Sequence, residues 1–560
     1  MSQNGQEQII MSQNSQERIT PPPPPASRYP ATMRALFATF GHHGKPLRGL
    51  MSTTKSRSFN GRFGRMFPAL AAATYGTTDT ESRLALMALG EAMTAELDLP
   101  KDGFDGEESG IPALYTYFGQ FVDHDITFDP MTTLIQHSDP DAITDFRTPA
   151  LDLDNMYGRG PSDQPYMYDN NGTKFLLGDE LDNGALDLQR NNSNPARALI
   201  GDPRNDENSI VSQFQALMLR FHNRVVDDNP ELDFPSVQEI VRWHYQWVIV
   251  HDFLPRIICG SVLDALKTNG RYDQKKLKFY HWKNDPFMPV EFSVAAYRLG
   301  HSMIRPGYRL NDDDATLLPI FPIPATVTSA PPGGIQIGLT GFQAMAKNRG
   351  IDWGRFIDIG EPRAYGDDPD DIKSPTEDMK KRLQFAYRLD TSVVTPLSVL
   401  PELVALDQPR SLAQRNLLRG FELGLPSGQC VARAMGVTPL TDDQIIIGKA
   451  VDPEEGDVRR SISELPHLSA FQGKCPLWTY ILAEAARNAT KVSIPVTPEI
   501  EVLTPQLGEV GGRIVAEAFL GMLFADNVSF LSADPEWIPT IVSANSDFTL
   551  RDMVAYALGV

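Results

Sequence analysis

Tyr117-Phe118-Gly119-Gln120-Phe121-Val122-Asp123-His124-Asp125 is the stretch on which the reading of this chain turns. Read as a helix, it sets Gln120, Asp123 and His124 on one face, because residues three and four apart are neighbours there. An amide, a carboxylate and an imidazole then share one wall. A histidine kept neutral by its surroundings can accept a proton near neutral pH. Asp125 points to another side, where it is free to ligate a metal. The plainer alternative is a helix end with three solvated polar residues, and this stretch alone does not decide between the two.

A second stretch lies downstream. Thr148, Ala150, Asp152 and Asp154 alternate in TPALDLD. In an extended loop alternate residues point the same way. Two carboxylates, a hydroxyl and a backbone carbonyl make a hard oxygen nest, suited to Ca²⁺ rather than Zn²⁺. Asp125 supplies a further oxygen. An Asp-rich turn in an acidic protein is the plainer alternative.

The chain around these stretches has 560 residues, 41 % apolar and 9 % aromatic, enough for a large core and incompatible with wholesale disorder. Lys and Arg number 51 against 71 Asp and Glu, a net charge of −20. So acidic a chain repels nucleic acid and anionic lipid through its overall field. No apolar run approaches the ~18 residues of a membrane span. There is no P-loop, no GxSxG elbow and no HExxH. The cysteines, Cys259, Cys430 and Cys475, are odd in number and lack CxxC spacing, which argues against a disulfide framework or zinc ribbon and fits a reducing compartment better.

Residues 1–35 read as a disordered tail, in which MSQNGQEQII is nearly repeated as MSQNSQERIT and Pro21 to Pro25 follow as a stiff spacer. The start lacks the basic and apolar regions of a secretory signal, which predicts a cytoplasmic chain or one exported by a non-classical route. Residues 36–560 show no composition break and read as one large domain. Its class is mainly α with few short strands. Val211, Phe214, Leu217, Met218, Phe221 and Val225 predict one helix by their three- and four-residue spacing. Ser236 and Glu239 form a capping-box pattern that predicts a second helix, stopped by Pro255 near Leu254. Phe292, Ala295, Ala296, Leu299 and Met303 predict a third, and Gly508 to Ala525 a fourth. Short strands are expected within Ile320 to Ile337, and Gly360 to Glu377 reads as an acidic loop.

Taken together, the two opening stretches and three others resemble the animal-type haem peroxidases of the peroxidase–cyclooxygenase superfamily. GQFVDHD is similar to that family's distal signature. Asp202-Pro203-Arg204-Asn205-Asp206-Glu207 resembles the segment with its catalytic arginine and a haem-linking glutamate. Tyr297-Arg298-Leu299-Gly300-His301 resembles the proximal-histidine segment, and Asn416-Leu417-Leu418-Arg419-Gly420 the segment that supports that histidine. The motifs stand in family order across about residues 110–430, and general similarity runs on to about 540. Few cysteines and no signal look more like bacterial or fungal members than secreted animal ones.

The resemblance implies a helical domain with haem b between distal and proximal helices, and a peroxidase that forms a ferryl iron and a porphyrin radical. His301 would be the axial iron ligand, supported by Asn416 and preceded by Arg298 on the cofactor side. Gly300 would let backbone approach the macrocycle. His124 would move the peroxide proton, Arg204 would stabilise charge as the O–O bond polarises, and Gln120 would hold distal water and place a halide. Asp123 and Glu207 occupy the positions that can form ester bonds to the haem. Asp125, Thr148, Ala150, Asp152 and Asp154 would bind calcium and brace the distal helix. Asn208 stands where the mammalian myeloperoxidase type has a methionine, so no sulfonium link forms. The implied partners are hydrogen peroxide and small anionic or aromatic donors: bromide, iodide, thiocyanate or phenols rather than chloride.

Two alternatives stay open. A fatty-acid dioxygenase of the cyclooxygenase or diol-synthase branch uses the same scaffold, but needs a tyrosine three residues before the proximal histidine. That position is Arg298, and Tyr297, one residue off, should face elsewhere on a helix. A non-catalytic calcium-binding scaffold predicts loss of His124, Arg204 or His301, and all are present. His244 and His251, seven apart, are read as packed or solvated helix residues rather than a haem pair, and Trp243, Trp247 and Trp282 as core aromatics rather than radical relays.

Overall fold

The structure is a computed structural model that describes residues 61–100, 105–128, 144–283, 285–314, 316–327, 330–360, 363, 381–405, 407–465, 469–495, 497–541 and 547–560. The tail, His42, His43, His137, His467 and most of the acidic loop lie outside the described residues. Helix predominates over strand among the described residues.

The motif helix is α1, Leu114–Ile126. The periodic run at 211–225 belongs to α2, Ser209–Asp228, whose predicted apolar positions are all buried. Its start is set by Asn208, whose Oδ1 accepts the N–H groups of Ile210 and Val211 at 3.1 and 3.0 Å. Phe118 and Phe121 of α1 meet Phe214 of α2 edge to face, with centroids 6.0 and 5.2 Å apart. Tyr245 of α3, Phe234–Val248, closes on the same two rings. Three helices are thus locked through one aromatic cluster directly behind the motif.

The second predicted helix is real, but both of its ends differ. Asp233, not Ser236, caps α3: its carboxylate accepts from Ser236 N and Ser236 Oγ at 3.1 and 2.6 Å. Pro255 does not stop the chain of turns. A π-helical turn over Ile249–Phe253 restarts the helix, and Pro255 falls in the first turn of Leu254–Ile257, where its missing N–H costs nothing. His244 is buried within α3 and does not line the cavity described below. Its Nδ1–H donates to Ile240 O at 2.7 Å, and its Nε2 accepts from Thr540 N and Ile541 N, both at 3.1 Å.

That arrangement has a pH consequence. Burial holds the His244 pKa down to about 4, against 6.5 for a free side chain. Between those values the unfolded chain binds a proton that the folded chain refuses, so stability falls as pH drops through the window. A proton on Nε2 would also face two N–H donors. The midpoint of thermal unfolding should therefore fall from about pH 7 to about pH 4.5. His244→Asn should show a shallower slope; equal slopes in both proteins would refute this.

The predicted helix over Phe292–Met303 is broken in three. Val290–Ser293 and α4, Gly300–Met303, are α-helical, and Ala296–Leu299 between them is a 3₁₀ turn. Ala295 leaves helical geometry at φ −128°, and Arg298 Nε fills the Ser293 carbonyl at 2.8 Å in place of a helical N–H. The fourth prediction matches α6, Glu509–Ala525, which lies behind α5, Leu412–Glu422, in the chain and is buried along almost its whole length. Glu484 caps α6 from outside, accepting from Val510 N and Gly511 N. A Cβ at Gly521 would stand 2.2 Å from Tyr280, so the glycines admit close packing rather than end the helix.

Strands are few, as expected, yet the longest pairing was not anticipated. It is a hairpin of Ala489–Ile494 with Thr497–Pro505. Within Ile320 to Ile337 only an Ile323–Ile335 bridge forms among the described residues. All three cysteines are free, and no described helix is long and apolar enough to cross a membrane.

Candidate active site

A cavity opens between α1 and α4. Its walls include Gln120, Asp123 and His124 on one side, Arg298, Gly300 and His301 on the other, and Glu207 at one edge. Counted out to its mouth it holds about 970 Å³ of unfilled space. Apolar side chains such as Met303, Ile304, Ile320, Phe321 and Leu400 complete it.

His124 is fully buried. Its Nδ1 lies 2.7 Å from Asn205 Oδ1, and Asn205 Nδ2 donates to Gln215 Oε1 at 2.7 Å. With Asn205 Oδ1 facing it, Nδ1 carries the proton and Nε2 keeps its lone pair. Burial and then the Arg204 charge hold the His124 pKa down to about 4, so the ring is neutral at pH 7.

Arg204 does not line the cavity. Its Nε and Nη2 hold Asp202 at 3.0 and 2.7 Å, and Nη2 also donates to the His124 carbonyl at 3.0 Å. Nη1 makes no hydrogen bond among the described residues. Burial pushes Asp202 up, but Arg147 and Arg204 together hold it well below the usual carboxylate range.

Gln120 is held at both ends. Its Nε2 donates to Glu207 Oε1, and its Oε1 accepts from Asn208 Nδ2 at 3.2 Å. Asp123 lies 3.8 Å from the Arg298 guanidinium and accepts from Thr127 Oγ1 at 3.2 Å. Burial carries Glu207 up to about 7, against the lowering pull of Arg204 and with Asp123 adding to the rise.

Across the cavity, His301 Nδ1 lies 2.6 Å from Asn416 Nδ2 of α5. In this orientation the amide donates, the reverse of the expected direction. A half-turn of the amide brings Oδ1 to the same place, with Nδ1–H donating and Nε2 free toward the cavity. Burial and then Arg298 hold the His301 pKa down to about 3. A Cβ at Gly300 would meet nothing within 4 Å, so the space before it is the cavity itself. Two neutral imidazoles on facing walls, an open glycine and apolar sides fit a flat iron macrocycle.

Tyr297 corrects the expectation that it faces elsewhere. Because its segment is not α-helical, it lines the cavity, stacks on Phe292 at 4.7 Å and 13°, and donates to Gly119 O at 3.2 Å.

Asp125 faces away from the cavity. Ligand oxygens of Asp125, Asp152 and Asp154 all lie within 4.8 Å of one another. Among the described residues no hydrogen bond reaches Asp125 Oδ1 or Asp154 Oδ1, although both are buried. Burial pushes all three carboxyls up; the Asp154 charge adds to the rise at Asp125 and Asp152, while Arg147 pulls against it at Asp154. Such a cluster fits a hard divalent cation. The loop is not extended throughout: Leu153 takes φ 62°, and Asp154 opens the short helix Asp154–Tyr157. Thr148 N donates to Asp154 Oδ2 at 3.3 Å, and Thr148 O accepts from Ala150 N.

Asn205, Gln215, Asp202 and Arg147 had no role in the sequence reading. Asn205 and Asp202 stand inside a motif that was read for its arginine and glutamate. Nothing local in the sequence marks Gln215 or Arg147.

Residues 135–327 match the animal haem peroxidase family model. The match takes in Thr148 to Asp154, Arg204, Glu207 and His301, while Gln120 to Asp125 and Asn416 lie outside it. A dual oxidase of Drosophila melanogaster is 32 % identical over 122 residues, 20 % of this chain and 7 % of that protein. The Peroxidasin homolog pxn-1 of Caenorhabditis elegans is 28 % identical over 197 residues, 31 % of this chain and 14 % of that protein. The matched stretches are thus a small part of both relatives. Peroxidase A from Dictyostelium discoideum shares the fold, with TM-score 0.52 and 14 % identity over 92 % of this chain and 98 % of that one.

Proposed function

We propose that the chain is a haem-dependent peroxidase that reduces hydrogen peroxide and oxidises halide, pseudohalide or phenolic donors. The observation that carries this is the pair of imidazoles, His124 and His301, each tied through Nδ1, on facing walls of one cavity. A haem bound there supplies the redox-active iron. His301 would hold it through Nε2, with Asn416 fixing the ring at Nδ1. His124 Nε2 takes the proton from peroxide and returns it to the departing oxygen. Burial and the Arg204 charge keep His124 neutral, and the Arg204 guanidinium, turned behind that ring, would meet developing negative charge on swinging away from Asp202. Gln120 orders the distal wall between Glu207 and Asn208, with its second N–H left for water or a halide. Asp123 and Glu207, both on the cavity wall, are the candidate ester links. Asp125, Asp152 and Asp154, with Thr148 and Ala150, form the calcium site. Residues 36–560 act as one catalytic domain.

A second reading, the fatty-acid dioxygenase, is supported by the position of Tyr297 in the cavity. One experiment separates the two. Haem-loaded protein should show a ferric absorption band that shifts with stoichiometric hydrogen peroxide and returns on adding iodide or a phenol. Oxygen uptake with a fatty acid, without donor turnover, would favour the second reading, and an inert spectrum would refute both. The same peroxide-treated sample should retain its haem through acid–organic extraction if the esters form.

A further inference from the structure

Two sites described above are joined by one side chain. Arg147 lies between the carboxylate cluster and the distal arginine. Its Nε donates to Asp202 Oδ2 at 2.8 Å and also lies 3.5 Å from Asp154 Oδ1. Its Nη2 bonds Asp202 and the Gly201 carbonyl. Asp202 is the same carboxylate that grips Arg204. The two guanidiniums also share a ring, with Arg147 5.7 Å and Arg204 4.6 Å from the Phe128 centroid. The Arg147 side chain is 5 % exposed and that of Asp202 fully buried, so solvent screens these charges little.

We propose that Arg147 is a positioning residue that couples cation occupancy of the Asp125–Asp152–Asp154 cluster to the orientation of Arg204. The proposal rests on the peroxidase reading above. Without a cation, Arg147 is shared between Asp154 and Asp202. A divalent cation satisfies Asp154 and leaves Arg147 wholly to Asp202. Asp202 then has less charge to give Arg204, whose guanidinium is released toward the cavity. Arg147 also compensates the third carboxylate, since three anionic ligands exceed the charge of one divalent ion. Its own positive charge meanwhile opposes the cation. Removing it should therefore tighten cation binding and hold Arg204 back, two effects of opposite sign.

The test uses the full haem-loaded chain and two variants, Arg147→Gln and Arg147→Lys. Calcium affinity is measured by competition with a chelator, and the reaction with peroxide by stopped-flow absorption at saturating calcium. Arg147→Gln should bind calcium at least about fivefold more tightly, because a nearby like charge is gone, and react with peroxide at least about tenfold more slowly. Arg147→Lys keeps the charge but loses the planar two-point hold, so calcium affinity should stay near wild type while the peroxide rate recovers only in part. Calcium affinity and peroxide rate falling together in Arg147→Gln would reveal a merely structural role and overturn the proposal. So would an unchanged peroxide rate. Should Arg147→Gln fail to fold, Arg147→Lys still decides: a full wild-type peroxide rate would overturn the two-point hold. A wild-type chain that takes up no calcium, or does not react with peroxide, would refute the peroxidase reading itself and is seen before any variant is made.

Discussion

His301→Ala is expected to yield a folded chain that no longer holds haem in its wild-type ferric state. The side chain lies on a four-residue helix bounded by a 3₁₀ turn, and its ring is fixed at Nδ1 by Asn416. The rest of that wall is apolar apart from Arg298, whose Nε is committed to the Ser293 carbonyl. Among the described cavity residues on that wall, none other offers an imidazole, thiolate or phenolate to the space in front of Gly300 except Tyr297, which is turned to Gly119 O. Loss of an axial ligand should exceed the ~10- to 100-fold typical of losing a group behind one. Haem affinity should therefore fall by more than about 100-fold. The measurement is haem titration followed by absorption, with circular dichroism as a check on folding. Added imidazole should restore a ferric band by filling the vacated space. An unchanged spectrum in the variant would remove His301 as ligand, whatever the rest of the cavity does.

How much of this was legible in the sequence depends on how local each determinant is. The runs that became α2 and α6 carry their own periodicity, and their apolar faces are buried as the spacing predicts. The proximal segment carries the same periodicity and still breaks. Its break rests on a side chain, Arg298, taking a backbone acceptor. Spacing cannot register that competition, and it carried Tyr297 to the wrong side. The π-turn before Pro255 is a similar case, since a one-residue change in helical register converts a helix stop into a helix start. The 489–505 hairpin alternates Val492, Ile494, Ile500 and Val502 with polar residues. That period-two signal was present and was overlooked beside the helical ones.

The site divides in the same way. His124, Arg204 and His301 were found through motifs, and His124 and His301 do meet in one cavity. Arg204 reaches the His124 carbonyl, but its grip on Asp202 turns it behind His124 instead of into the cavity. The carboxylate cluster was found by spacing, although Asp154 joins it from a helix start and not from an extended strand. The residues that tune these groups were not found. Asn205 meets His124 while its Nδ2 reaches Gln215, nearly two turns into α2. Arg147 acts only because Asp202 and Asp154 converge on it from different segments.

His124→Leu tests the chemistry rather than the binding. The leucine fills a similar volume and faces a cavity wall that is already largely apolar, so haem should stay bound. Asn205 loses its partner, and its Oδ1 is left buried beside an apolar side chain, at a cost of about 1–3 kcal/mol in stability. That cost is small against the catalytic one. Among the described cavity residues His124 is the only imidazole beside Gln120 and Asp123, its Nδ1 faces Asn205 Oδ1, and its depressed pKa keeps the ring neutral at pH 7. No other described residue of that wall offers an imidazole base. Asp123 is drawn toward Arg298, Glu207 is bonded to Gln120, and the Gln120 amide is not a base. Loss of a positioned general base typically costs ~10²- to 10⁴-fold. The stopped-flow rate of the peroxide-induced spectral change should fall by about that factor, with the ferric spectrum and haem affinity retained. A variant that reacts with peroxide at the wild-type rate would show that the proton leaves by another route, and His124 would then be a structural histidine held by Asn205.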